Sequence, residues 1–541
     1  MANARSTLIR ARQRVQASLA PEPIAYSIDG RGFGYSAPIG FPIELGSYVS
    51  IQVPEGHRYL GQLTAKVAHE SAGPQIALDG ARVLDLGEGA DQVTSTTFTL
   101  RLQSVRGEGT MLCRLDADEP QVTGAEDGFA EATIAPAAAE DVAAWHQRAN
   151  SRSAQLDIGT LQDPYAAIRA TINAGSFDRH TFLCGQSGSG KTYSLGVVLE
   201  RLLLDTSLRI IILDPNSDYV GLDQCRSVAE ICKAFPGLHD SEADAQTAIK
   251  TYQAAVIDST VLRRTPYGTK ADNALRIWFS DLFPSLQGKV LQLDPVDDLE
   301  EFSTLLTIEQ RFGDEPYSIA DVRDAAANDL SSVSRQLALR ITNLGVDTWD
   351  IWAHRGETPV LTSSTALGRL LVLDIGGFGR PDEQALIAHA TLATLWQRRE
   401  QRQPVLLVID EAHTVCPQNP LGPLQAAATE RSIQIAGEGR KFGIYLLVST
   451  QRPQKLHTNV LSQCDNLILM RMNSEADVAD LAGTFSFVSP TLLNAATGFV
   501  QGESLIAGKL TPSPTLIRFG GRYSREGGAD VAADWAKPVR R

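Results

Sequence analysis

The run Gly185-Gln186-Ser187-Gly188-Ser189-Gly190-Lys191-Thr192 constrains this chain more than any other segment of comparable length. It fits the phosphate-binding pattern G-x-x-x-x-G-K-[ST] without mismatch. Before it, Thr181-Phe182-Leu183-Cys184 reads as a short apolar strand; after it, Tyr193 to Leu204 carries apolar residues at helical spacing. The loop therefore joins a strand to a helix N-terminus. That geometry aims successive backbone N–H groups and the positive end of a helix dipole at a polyphosphate. Lys191 then reaches the β- and γ-phosphates, and the Thr192 hydroxyl ligates Mg²⁺. A glycine-rich turn matching by chance would not need both flanks, so the sequence points to binding of a nucleoside triphosphate such as ATP.

Phosphate capture alone does not hydrolyse ATP; an acid must serve the metal and a carboxylate must polarise the attacking water. Pro404-Val405-Leu406-Leu407-Val408-Ile409 followed by Asp410-Glu411-Ala412-His413 supplies both, with Asp410 on the metal side and Glu411 as the base. Arg209–Asp214 and Arg369–Asp374 are likewise apolar runs ending in an acid, and Gly443–Gln451 ends in polar residues. Strands apolar on both faces belong in a buried parallel sheet, which binds ligands at the C-terminal ends of its strands. Gln451 stands at such an end and is a candidate sensor of the γ-phosphate. Arg440, in Gly439-Arg440-Lys441-Phe442-Gly443, reads either as a finger reaching a neighbour's ATP or as a surface arginine at a helix end. His180 and His413 adjoin motifs but lack a second His or Cys at ligand spacing, so packing and hydrogen bonding are their expected roles.

The fold class that follows is α/β: a P-loop, RecA-like parallel-sheet ATPase core with a small N-terminal β-barrel and a helical insertion. Residues 1–21 read as an N-terminal arm, with basic residues but no apolar core, and hence no signal peptide. Residues 22–116 carry strand-like segments, among them Tyr48–Val53, Gln75–Leu78, Thr97–Leu102 and Gly109–Leu115, broken by turn residues as in a small barrel. Residues 117–155, rich in Ala, Glu and Asp, read as a linker ending in a helix near Asp141–Ala149. The core spans 156–515, with the helical insertion at about 225–350, where Glu300–Arg311 and Ile319–Ile341 show helical periodicity. Residues 516–541 read as an extended tail. The six cysteines show no C-x-x-C spacing, which suits a reducing cytoplasm, and no apolar run nears the roughly 20 residues of a membrane span. A net charge of −14 argues against a surface coated in basic residues, yet a ring can keep its cations on pore loops.

Taken together, Asp178-Arg179-His180, Leu213-Asp214-Pro215-Asn216-Ser217-Asp218-Tyr219, Ile409–His413 and the block from Gly439-Arg440-Lys441-Phe442-Gly443 to Ser449-Thr450-Gln451-Arg452-Pro453 resemble the HerA family of the FtsK-type translocases. The N-terminal β region is similar to the HAS-barrel of that family. The resemblance implies a homohexameric ring that hydrolyses ATP at subunit boundaries and moves double-stranded DNA through its pore. It matches Lys191, Thr192, Asp410, Glu411 and Gln451 to the family's active site, Arg440 to its arginine finger and Arg179 to a second arginine there. It also implies an effector held by the barrel, a nuclease or a sirtuin-like NADase, with an antiviral defence scaffold as the alternative role. One departure stands out. Asn216-Ser217-Asp218-Tyr219 replaces the usual glycine and shortens the acid that follows the second strand.

Overall fold

The computed structural model describes residues 23–71, 102–116, 121–122, 128–149 and 153–527, less 39, 55, 240, 267–268, 270, 358 and 360–367. The expected arm, the segments Gln75–Leu78 and Thr97–Arg101, and the end of the tail lie outside the described residues.

The first unit is a barrel. Its strands are β1 (Ile24–Ser27), β2 (Gly32–Pro38), β3 (Tyr48–Gln52), β4 (Arg58–Ser71), β5 (Leu102–Arg114), β6 (Gln121–Val122) and β7 (Phe129–Pro136). They run in the order β2-β1-β7-β3-β4-β5-β6, and antiparallel pairing of β2 with β5 closes six of them into a ring. Closure leaves those strands without free edges. Inward residues such as Phe33, Tyr35, Val49, Ile51, Leu63 and Ile134 form its core. The stretch expected as a linker is thus partly barrel. β7 lies inside it and pairs with both β1 and β3. Only Ala132 and Ile134 of β7 are buried, which is too little apolar signal to read as a strand.

The second unit is an eleven-stranded sheet of β8 (Gln155–Leu161), β9 (Arg169–Asn173), β10 (His180–Cys184), β11 (Arg209–Asp214), β12 (Ser259–Arg263), β13 (Leu370–Asp374), β14 (Val405–Ile409), β15 (Ile444–Thr450), β16 (Cys464–Met470), β17 (Glu503–Ala507) and β18 (Thr515–Phe519). The order is β12-β13-β11-β14-β15-β10-β16-β17-β18-β8-β9. Pairing is parallel from β12 to β16 and antiparallel beyond. Every residue of β10, β13 and β14 is buried, because helices cover both faces.

Two expectations are corrected here. The insertion at 225–350 is not wholly helical, since β12 leaves it to become the edge strand beside β13. Its second periodic stretch is two helices, Ile319–Ala327 and Ser332–Leu344, the latter capped by Ser331. The tail expected from 516 is strand as far as Phe519, paired with β8 and β17, and Gly521 to Ser524 beyond it are buried rather than loose.

Three histidines sit deep in this framework: His146 at 6% exposure, His180 at 1% and His389 at 7%. Burial pushes all three imidazoles down to about 4. They stay neutral in the folded chain down to that pH, whereas the unfolded chain protonates them near 6.5. Their stabilising contribution is full above pH 6.5 and is lost as pH falls toward 4, by on the order of 1 kcal/mol per pH unit for each. Chemical denaturation at pH 7 and pH 5 should show the lower stability at pH 5; equal midpoints would refute the assignment.

Candidate nucleotide site

The loop follows β10 and opens the helix Lys191–Asp205. Gly188 and Gly190 take φ of 74° and 91°, the left-handed region that glycine enters without strain. Gly190 caps the helix, and its carbonyl accepts the Ser194 N–H at 2.9 Å.

Sheet register brings the distant motifs to this loop. β15 lies between β14 and β10, with Ile409 beside Val448 and Cys184 beside Thr450. The next residues out of β14 and β10 are Asp410 and Gly185, and the Gly185 N–H donates to the Thr450 carbonyl at 3.4 Å. Lys191 Nζ lies 2.7 Å from Asp410 Oδ1, 3.1 Å from Ser449 Oγ and 3.2 Å from Glu411 Oε1. All three charged residues are at least nine-tenths buried. Burial opposes the Lys191 charge, but Asp410 and Glu411 outweigh it and raise its pKa. Burial likewise pushes the Glu411 carboxyl up, while His413 and Lys191 together pull it below its ordinary range. His413 Nδ1 bonds Thr450 Oγ1 at 2.9 Å and stands 3.3 Å from Glu411 Oε2, near enough for charge attraction but without a hydrogen bond to it.

Sequence reasoning left Ser449 and Asp214 out and gave Asp218 no role. Ser449 holds Lys191 from a strand end that already read as polar. Asp218 accepts a hydrogen bond from the Thr192 hydroxyl at 3.4 Å. Asp214 builds the loop that presents it, accepting the N–H groups of Asn216, Asp218 and Tyr219 at 3.3, 3.0 and 2.8 Å. Burial and the nearby carboxylates raise Asp214 to about 7 and Asp218 to about 6, as a cluster of acids short of cations must. Asp410 Oδ2 is buried with no hydrogen-bond partner among the described residues. Thr192 touches Asp218, and Asp410 is near enough to Asp218 to raise its pKa; all three offer hard oxygen atoms of the kind Mg²⁺ takes.

Arg179 and Arg440 are elsewhere. Arg179 precedes β10 and Arg440 precedes β15, so both stand at the opposite edge of the sheet from the loop. They meet at Asp465 on β16, at 3.6 and 2.6 Å, and each remains about two-fifths exposed. Strands of five and seven residues span roughly 16 and 23 Å at about 3.3 Å per residue. Neither guanidinium can reach the loop of its own chain. His180 braces this edge, taking the Leu446 N–H at 2.9 Å and bonding the Ala436 carbonyl at 3.0 Å.

Comparison with known proteins finds relatives of the whole domain rather than of single residues. The family described as "Helicase HerA, central domain" matches residues 156–341. The DNA double-strand break repair helicase HerA of Saccharolobus solfataricus is 23% identical over 405 residues, covering 72% of this chain and 73% of that protein. The protein of the same name from Pyrococcus furiosus is 22% identical over 401 residues, covering 67% and 69%. Among solved structures, VirB4 of Thermoanaerobacter pseudethanolicus overlaps 71% of this chain and 99% of its own at 15% identity, with a TM-score of 0.47. That overlap is too loose to bear on function. The central-domain match, the relatives spanning most of both chains, the closed barrel and the loop with its buried acids converge: the chain is a P-loop ATPase that resembles the HerA helicases.

Proposed function

We propose that this chain is an ATP-driven double-stranded DNA translocase or helicase that works as a homohexameric ring, each ATP site being shared by two protomers. The observation that carries this reading is the division of the candidate residues between opposite edges of one sheet. The loop, Lys191, Asp410, Glu411 and Gln451 occupy one edge; Arg440 and Arg179 occupy the other, out of reach. A head-to-tail ring sets one protomer's arginine edge against the next protomer's loop, and such heterologous contacts close into rings.

In that site the backbone N–H groups from Gly185 to Thr192 cradle the phosphates. A triphosphate draws Lys191 away from Asp410 and Glu411 to its own β- and γ-oxygens. Thr192 and Asp410, with Asp218 alongside, would hold Mg²⁺, which would supply positive charge against that of the triphosphate. Glu411 then accepts the proton of the attacking water, with His413 beside it. Gln451, the residue that follows β15, senses the γ-phosphate. The neighbour's Arg440, seconded by Arg179, meets the charge that develops as the phosphoryl group leaves.

DNA stimulation tests the motor reading. Linear double-stranded DNA should raise ATP turnover several-fold at low salt, and the gain should fade as salt screens the phosphate contacts. Unchanged turnover at low salt would refute a translocase. The net charge of −14 favours a second reading, an ATPase scaffold of an antiviral defence complex that assembles and gates a nuclease or sirtuin-like NADase. Turnover that responds to the effector and not to DNA is its expected signature. We assign the barrel to that partner, since β1 and the residue after it turn Ile24, Tyr26 and Ile28 outward at 40%, 52% and 88% exposure.

A further inference from the structure

The segment Gly520-Gly521-Arg522-Tyr523-Ser524-Arg525-Glu526-Gly527 is polar and glycine-rich, yet Arg522 and Ser524 are fully buried and Tyr523 is 8% exposed. It crosses the helix that begins at the phosphate loop. Glu200 of that helix is also fully buried, and a carboxylate so placed persists only when its oxygens are satisfied. They are: the Tyr523 and Ser524 N–H groups each donate at 2.7 Å, and Arg522 Nε donates at 3.3 Å. One turn earlier stands Gly196, where a Cβ would lie 2.4 Å from Arg522 Cζ, so the helix leaves room for that guanidinium. Tyr523 stacks on Phe235 at 4.4 Å, with the Arg201 guanidinium 4.7 Å from its ring. The segment ends at the acid cluster, where the Gly527 N–H donates to the Asp218 carbonyl at 3.0 Å and Glu526 pairs with Arg226 at 3.0 Å.

A cleft of about 660 Å³ opens beside it. Gly190 and Tyr193 line one side; Gln501, Phe519, Gly521 and Glu526 line the other. The cleft begins where the phosphate loop ends and does not include Lys191, Asp410 or Glu411. With β- and γ-phosphates at Lys191, the rest of the nucleotide must leave the loop toward this space, whose volume falls in the range that encloses small ligands.

We infer that residues 520–527 form a strap walling the cleft that takes the base and ribose, and that Glu200 is the positioning residue holding the strap in place. The inference rests on the nucleotide reading of the loop. The wall meets the part of ATP that does not react, so it strengthens ground state and transition state alike. Loosening it raises KM and leaves kcat.

In full-length Glu200→Gln, the Kd of a fluorescent ADP and the KM for ATP should rise about tenfold, with kcat at saturation within about twofold of the parent. Inhibition by inorganic tripolyphosphate, which fills the loop without entering the cleft, should shift by less than about twofold. Unchanged ADP affinity with only a lower Tm would reduce Glu200 to a packing residue and overturn the inference, as would equal weakening of ADP and tripolyphosphate. Should Glu200→Gln not fold, Glu526→Ala at the cleft rim, 44% exposed, carries the same test. It should weaken ADP by about threefold and leave tripolyphosphate unchanged; equal ADP affinity would overturn the inference. Lys191→Ala separates the two levels, since loss of both ligands there upholds the loop while the strap variants decide the cleft.

Discussion

Glu411→Gln should bind ATP as tightly as the parent chain and hydrolyse it at least about a hundredfold more slowly, the usual worth of a positioned general base. The substitution keeps the shape of the side chain and its contact with His413 while removing the oxygen that accepts a proton. It also removes one of the two carboxylates beside Lys191, so nucleotide entry no longer has to break that pair. Affinity should therefore hold or improve, which separates loss of chemistry from loss of fold. Titration with ATP beside steady-state turnover reads both quantities. Turnover within about tenfold of the parent would move the base elsewhere.

Arg440→Ala is the second large effect. Its guanidinium pairs with Asp465 at the edge away from the loop, so nothing at its own phosphate site changes. ATP affinity should fall little, and kcat should drop about a thousandfold, as when an arginine finger is removed. Arg440→Lys should not restore it, because an ammonium cannot offer the planar fork that holds two phosphoryl oxygens at once. A fully active Arg440→Ala chain would make Arg440 a surface residue paired with Asp465 and nothing more.

The parts of this site legible in the sequence share one physical property: they lie on strands buried on both faces. β10, β11, β13, β14 and β15 read as unbroken apolar runs because helices cover them above and below, and a polar residue ending such a run is conspicuous. That is why Asp410, Glu411 and Gln451 stood out beside the phosphate loop. Edge and barrel strands gave less. β12 is buried only at Leu262, and β7 turns just Ala132 and Ile134 inward, so neither broke the pattern of its surroundings. The pair of Glu200 with Arg522 spans 322 residues of chain, and each looks like an ordinary surface charge until the fold joins them. Asp218 was visible only as a departure from a family pattern. Its contact with Thr192 comes from the loop that Asp214 ties together, which no spacing rule encodes.

The separation of Arg440 from Lys191 across one sheet makes a shared site the central claim, and mixing two inactive variants tests it most directly. Glu411→Gln protomers retain Arg440, and Arg440→Ala protomers retain Glu411. Each preparation alone should be nearly inactive. Co-expressed at equal levels they should recover about a quarter of the parent ATPase rate, since half the protomers bring an intact base and half of their neighbours an intact finger. A mixture as inactive as its components would contradict a site completed by the next protomer.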